Sequence, residues 1–368
     1  MRRRNSISVI IVAIICCSWS IFAAARQSVD LYNTSVLVLD QSAGVRRQAA
    51  IKGLSTVVVK ASGRRDSLHN ATIAQALKEA ETYLYEFSYA SSSRTLKVAG
   101  VDRKAVKLLM RFSPGPVEKL LRDAGVPLWQ ASRPDVVVWV ASTKGTQQRF
   151  ISPSSLTGQA FKTSARRRGL PLVSPVLDLD DRRALSVSRL WAGDSESIIK
   201  ASLRYQADAI LAGRLRPADG RQWRGQFTLY YQGQEKLFSA SGASSARVAT
   251  AIVEQVSNYF ASTFSVATNT AGRSAQSTVL TVNNVDDFGV YAQLLRYLER
   301  LKMTRSVSLS SVDGNRLTLA LEFDGSIDLL MKTLALDKRL RPVDVTQQWS
   351  SVPLSAGSGQ NPLQFEWR

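Results

Sequence analysis

Residues 136–140 read Val-Val-Val-Trp-Val, five apolar side chains in succession. Side chains on a strand alternate between the two faces of its sheet, so a short run that is apolar at every position must be covered on both sides. That condition describes a central strand with helices above and below. Ala209-Ile210-Leu211-Ala212-Gly213 makes the same demand. Helix-spaced apolar residues fill the chain between and after these runs: a helix near 157–168, another over 196–205 capped by Ser195, and a last one with Ala249, Ile252, Val253, Val256 and Phe260 on one face. A strand is expected near 172–177, and a hairpin turns through Gln232-Gly233-Gln234. Strands alternating with helices predict an α/β sheet over residues 134–264.

At 368 residues the chain is longer than one ordinary domain. Residues 26–133 read as an α+β domain of order β-α-α-β-β-α, whose first helix carries Ala50, Leu54, Val57, Val58 and Ala61 at helical spacing. Residues 265–277 lack large apolar side chains and read as a linker. In residues 278–346, Leu317, Leu319, Leu321 and Phe323 alternate strictly, Asp313-Gly314 supplies a hairpin turn, and a final strand falls near 342–345. That order, β-α-β-β-α-β, is the ferredoxin-like pattern. Residues 347–368 are rich in Gln, Ser, Gly and Pro and read as a disordered tail.

The start of the chain reads as an address. Arg2, Arg3 and Arg4 precede an uncharged stretch from Ile7 to Phe22, and Ala23, Ala24 and Ala25 supply small residues for cleavage. Residues 1–25 are therefore expected to be a secretory signal peptide, with an uncleaved membrane anchor as the alternative. Cys16 follows Ile15 and Cys17 follows Cys16, so neither has the small preceding residue of a lipobox. Cleavage would remove both cysteines of the chain, leaving no thiol and no disulfide. With one histidine, His69, in addition, zinc centres and His-based triads are excluded by inventory. No phosphate-binding loop, nucleophile elbow or H-E-x-x-H motif occurs. No catalytic, cofactor-binding or metal-ligating residue is assigned.

The formal net charge is +19, and it is unevenly placed. Residues 26–133 carry +8, residues 134–264 carry +7 and residues 265–368 only +1. Arginine binds phosphate and carboxylate bidentately, so Arg64, Arg65, Arg166, Arg167 and Arg168 are candidate anion-binding residues. A solvated face, or basic residues closing helices, is the competing account. Arg214 and Arg216 form a further pair. Asp178, Asp180 and Asp181 have the oxygen ligands for a divalent cation, but Arg182 and Arg183 adjoin them, which favours a capping loop. Asp208 reads as a turn or cap residue, and His69 as a loop residue. Trp129 and Arg133, at the first domain boundary, are candidates for contact with a neighbouring domain or a partner.

The segments Asp30-Leu31-Tyr32, Val58-Val59-Lys60-Ala61-Ser62-Gly63-Arg64-Arg65-Asp66, Gly125-Val126-Pro127-Leu128-Trp129, Arg133-Pro134 and Val138-Trp139-Val140 together resemble an exported proteobacterial family of unknown function, DUF2066. The resemblance runs over most of residues 29–260. It implies a Gram-negative source and a periplasmic home, and carries no established activity. Residues 205–214 and the strand after them are similar to the TolB amino-terminal domain and to envelope-assembly lipoproteins, at the level of fold only. Together these features point to a non-enzymatic periplasmic interaction protein that meets envelope proteins. The alternatives are a binder of anionic envelope polymers or lipid headgroups and a cell-wall hydrolase. Nucleic acid is a poor partner outside the cytoplasm.

Overall fold

The computed structural model describes residues 29–218, 222–266, 275–337, 339–343, 357–358 and 361–368. The expected leader lies outside the described residues, as does most of the expected linker. Among the described residues the fold is mixed α/β, with about ten helices and several sheets.

The first unit runs β1 (Asn33–Val38), α1 (Ala43–Ser62), α2 (Ala71–Lys78), β2 (Leu84–Val98), β3 (Val101–Phe112), α3 (Pro114–Asp123) and a short β4 (Leu128–Trp129). Its sheet is antiparallel in the order β1-β3-β2. Ala50, Leu54, Val57, Val58 and Ala61 of α1 are fully buried and pack with Leu108, Met110 and Phe112 of β3. Gly53 lets helix and strand approach closely, since a Cβ there would stand 2.8 Å from the Met110 methyl.

The second unit contains β5 (Val136–Lys144), β6 (Gln147–Phe150), α4 (Leu156–Arg168), β7 (Leu172–Val173), α5 (Leu179–Ala184), α6 (Val187–Ala192), α7 (Ser195–Ser202), β8 (Ala209–Ala218), β9 (Gln222–Tyr231), β10 (Gln234–Gly242), α8 (Ser245–Phe264) and β11 (Ser265–Val266). The main sheet runs β10-β9-β8-β5-β6, with β5 and β8 parallel and β7 also paired to β5. Val136, Val138 and Val140 point into the core beneath α4 and α8, while Val137 and Trp139 point into a second core with α6 and α7. The run that is apolar at every position is thus divided between two cores. The strand expected over 172–177 is only two residues long, and the cap of α7 is Asp194 rather than Ser195, its side chain accepting from Ser197 N. Ser265 and Val266, placed at the start of the linker by composition, pair with Trp129 and Leu128 of β4 and tie the unit back to the first.

The third unit comprises β12 (Gln276–Asn283), α9 (Phe288–Arg300), β13 (Thr304–Asp313), β14 (Arg316–Phe323), α10 (Ile327–Leu336), β15 (Leu340–Pro342) and β16 (Leu363–Trp367). The sheet order is β13-β14-β12-β16-β15. The disordered-tail expectation fails for residues 363–367. These form β16, which lies parallel to β12 and antiparallel to β15, between the two. Leu363, Phe365 and Trp367 alternate inward and are buried, which is the reason the segment joins the sheet. β15 is displaced one place outward and becomes an edge strand of three residues.

The core of the second unit continues into that of the third. Polar contacts join the third unit to the first: Lys302 Nζ donates to Glu118 of α3 at 3.0 Å, and the Tyr32 hydroxyl donates to the same carboxylate at 2.6 Å. Among the described residues no helix is long and apolar enough to cross a membrane.

Candidate anion-binding ridge at the first domain junction

Two helices from different units end side by side. α1 stops at Gly63, whose φ of +65° is the left-handed conformation that releases the chain from the helix. The following loop is pinned by Ser62, whose buried hydroxyl donates to Val58 O at 2.7 Å and accepts from Arg64 N at 3.1 Å. Ser67 closes it by donating to Arg64 O at 2.6 Å. α4 ends in Arg166-Arg167-Arg168 and is released by Gly169, again at φ +65°.

Two arginines clip these ends together. Arg133 is 1% exposed and donates five hydrogen bonds, to the carbonyls of Lys60, Trp129, Gln130, Arg168 and Gly169. A guanidinium has five N–H groups, so this one is saturated by the last turn of α1, the end of α4 and the chain between. Burial pulls its pKa well below the ordinary guanidinium value, and the ring of carbonyl dipoles offsets that penalty. Arg168, also 1% exposed, donates to Gly63 O, to Asn258 Oδ1 and to Glu254, the last two from α8. Burial lowers its pKa, the Glu254 carboxylate opposes that, and Arg65 lowers it further.

The five arginines singled out in the sequence therefore separate. Arg168 is corrected from candidate anion ligand to structural cation: its charge is met by Glu254, and its position in the core is fixed from two sides. Arg64, Arg65, Arg166 and Arg167 are exposed. They lie within two residues of Gly63 or Arg168, the two groups that touch, so two clusters a hundred residues apart share one ridge. Lys60 borders it, half-buried, with Nζ donating to Asn33 O at 2.8 Å. Burial lowers the Lys60 pKa, Asp30 raises it, and Arg133 and Arg166 lower it again. Such a ridge concentrates positive charge at the surface. It also complements the negative ends of two helix dipoles.

Trp129 is fully buried and stacks under Arg133, with the guanidinium carbon 3.8 Å from the ring centroid. Both residues contact a neighbouring domain. Asp178 caps α5 by accepting from Asp181 N at 2.9 Å, and the place of a cation is taken by Arg204, which donates to Asp178 and Asp181 at 2.9 Å each. Asp208 accepts from Asp135 N at 2.8 Å, and His69 is exposed in a short 3-10 turn. Sequence reasoning missed Glu254 and Asn258. Their spacing of four residues on α8, on a helix otherwise apolar toward the sheet, was the available signal.

A family model described as a domain of unknown function, DUF8605, matches residues 25–130. This overturns the expected membership of DUF2066. No curated protein matches the chain. Among solved structures, homoserine dehydrogenase of S. aureus is similar over 30% of this chain and 29% of its own, at 16% identity and a TM-score of 0.13, a likeness too slight to carry an argument. The chain spans under a third of that protein's length. The matched family segment ends one residue after β4, so it corresponds to the first structural unit, while the arginine clip that fixes this unit to the next lies just beyond it.

Proposed function

We propose that this chain is a non-enzymatic interaction protein of the periplasm that engages anionic envelope surfaces through the ridge of Arg64, Arg65, Arg166 and Arg167. What supports the reading is the division of labour among neighbouring arginines. Arg133 and Arg168 are consumed in holding two units together, and that union gathers four exposed guanidinium groups from both units. A surface made by joining domains has fixed spacing, which suits repeated phosphate or carboxylate groups on a headgroup layer or a cell-wall polymer. Export rests on the charged and apolar leader of residues 1–25.

Co-sedimentation of the protein with phosphatidylglycerol vesicles tests this. Binding is expected to exceed that to phosphatidylcholine vesicles and to fall steeply as salt rises. Combined Arg64→Glu, Arg65→Glu, Arg166→Glu and Arg167→Glu substitution should weaken it more than tenfold without unfolding the protein, since all four side chains are exposed. Binding indifferent to salt, or intact in the substituted protein, would reject the ridge.

A further inference from the structure

The second unit carries another feature that the junction ridge does not use. Helices α6 and α7 cover only part of their face of the main sheet, and beyond them the floor of β8, β9 and β10 is open. A cleft of about 440 Å³ lies there, walled by Trp191 and Leu237 and floored by Arg214, Gln226, Thr228 and Ser239. That volume falls within the range of small-molecule sites.

The chemistry of the floor is lopsided. Arg214 is half-buried and held in place: Nη1 donates to Trp191 O at 2.7 Å, while Nε and Nη2 donate to Gln226 Oε1 at 3.3 and 3.1 Å. Its guanidinium carbon stands 5.8 Å from the Trp191 ring centroid. Three of five N–H groups are engaged, all with neutral acceptors, and among the described residues no carboxylate lies within ion-pair distance. Arg216 follows two residues later on the same face, and register places Arg224 of β9 directly opposite it. Leu215 is buried and Gly225 abuts Val248 of α8, so the alternating arginines point to the other, open face. Like charges directly opposed across two strands oppose folding. Arg214 thus lines a preformed cleft, and Arg216 and Arg224 lie exposed beyond it on the same open face, in an unfavourable cross-strand pair. Toward the other end, Tyr230 lines the cleft and Glu235 of β10 pairs with it across the sheet, so the acidic groups stand away from the arginines.

The geometry points to a binding site for a small organic oxyanion, a carboxylate or phosphate borne on a ring. The anionic group would be taken by Arg214 with Arg216 and Arg224 behind it, and the ring would lie between Trp191 and Leu237. The site is independent of the junction ridge: its ligand enters a cleft, and none of its residues belongs to α1 or α4.

Titration of the full chain with benzoate, phenyl phosphate and neutral benzamide, followed by Trp fluorescence and by calorimetry, tests the site. One or both anions should bind and benzamide should bind at least tenfold more weakly; which anion binds tells carboxylate from phosphate. Arg214→Gln is expected to weaken binding about tenfold or more. Leu237→Glu sets a carboxylate at the rim on a side chain that is 80% exposed, so folding is kept while binding is lost. Arg224→Gln should raise Tm without ligand and weaken binding together, a pairing that a purely structural arginine would not give. Absence of anion binding by the unmodified chain, equal binding of benzamide, or undiminished binding in Leu237→Glu would overturn the proposal.

Discussion

Arg133 lies over the indole of Trp129 at 3.8 Å and also donates to that residue's own carbonyl at 2.9 Å, so one side chain holds both the ring and the backbone of its neighbour. One further bond goes to Gln130 O, and the other three reach the ends of α1 and α4. The relationship is a joint: the strand that ends the first unit is locked to the helix ends of both units by a single cation.

Arg133→Leu should therefore cost about 3–5 kcal/mol, the scale for breaking one side of a buried charged network, because five carbonyls lose their donor at once. Arg133→Lys should recover little of this, since an ammonium lacks the planar fork that reaches five acceptors. Chemical denaturation measures the loss. Limited proteolysis around residues 130–135 should separate a loosened joint from general unfolding.

Gly63 fixes the same joint from the other side. In Gly63→Ala the new Cβ would stand 2.6 Å from Ala261 Cβ and against the Trp129 ring, at a φ of +65°. Conformation alone costs about 1–2 kcal/mol, and the clash adds to it. Gly100→Ala is the matched control, with φ +84° and open space around the position. Thermal melts of the two variants should show a clearly larger drop for Gly63→Ala; equal drops would mean that the ring and helix give way easily.

The architecture was legible where side-chain periodicity is strong. Val136 to Val140 divide between two cores, and the stripe from Ala50 to Ala61 faces the first sheet, because period and burial are local properties. The fate of each arginine was not legible. Arg166, Arg167 and Arg168 are chemically identical neighbours, and only the third faces inward, toward partners 86 and 90 residues away. Asp178 to Asp181 reads as a capping loop because Arg182 and Arg183 adjoin it, and Asp178 does cap α5, but the cation that meets the loop is Arg204, from 23 residues on. At the end of the chain the alternation of Leu363, Phe365 and Trp367 was present, but the polar composition around it hid a five-residue strand.

Tyr205 links this acidic loop to pH. Its hydroxyl donates to Asp181 Oδ2 at 2.6 Å and accepts from Val176 N at 3.0 Å. Burial, then the bond to Asp181, push the phenol up to about 12. The neutral form is thus favoured by folding. The stabilisation is complete below the unfolded value of about 10 and is lost as pH rises from there through the folded value. In an ultraviolet titration, the difference between the unmodified protein and Tyr205→Phe should be a single phenolate appearing near pH 12; appearance near pH ~10 would mean an exposed, unbonded hydroxyl.

Phe365 tests whether the last strand is integral. It is fully buried, faces Val282 across the parallel pairing and Pro342 across the antiparallel one, and so touches both strands between which β16 lies. Among the described residues β15 pairs only with β16, through which it joins the sheet. Phe365→Ala should cost about 3–5 kcal/mol, the usual loss for a buried phenylalanine. Removal of residues 361–368 should go further, freeing β15 and exposing Leu280 and Val282. Hydrogen exchange reads both effects locally: amides of residues 280–283 should lose protection, while those of β3 in the first unit, which has its own core, stay slow. Unchanged exchange in β12 after truncation would make β16 an accessory edge rather than a part of the third unit's sheet.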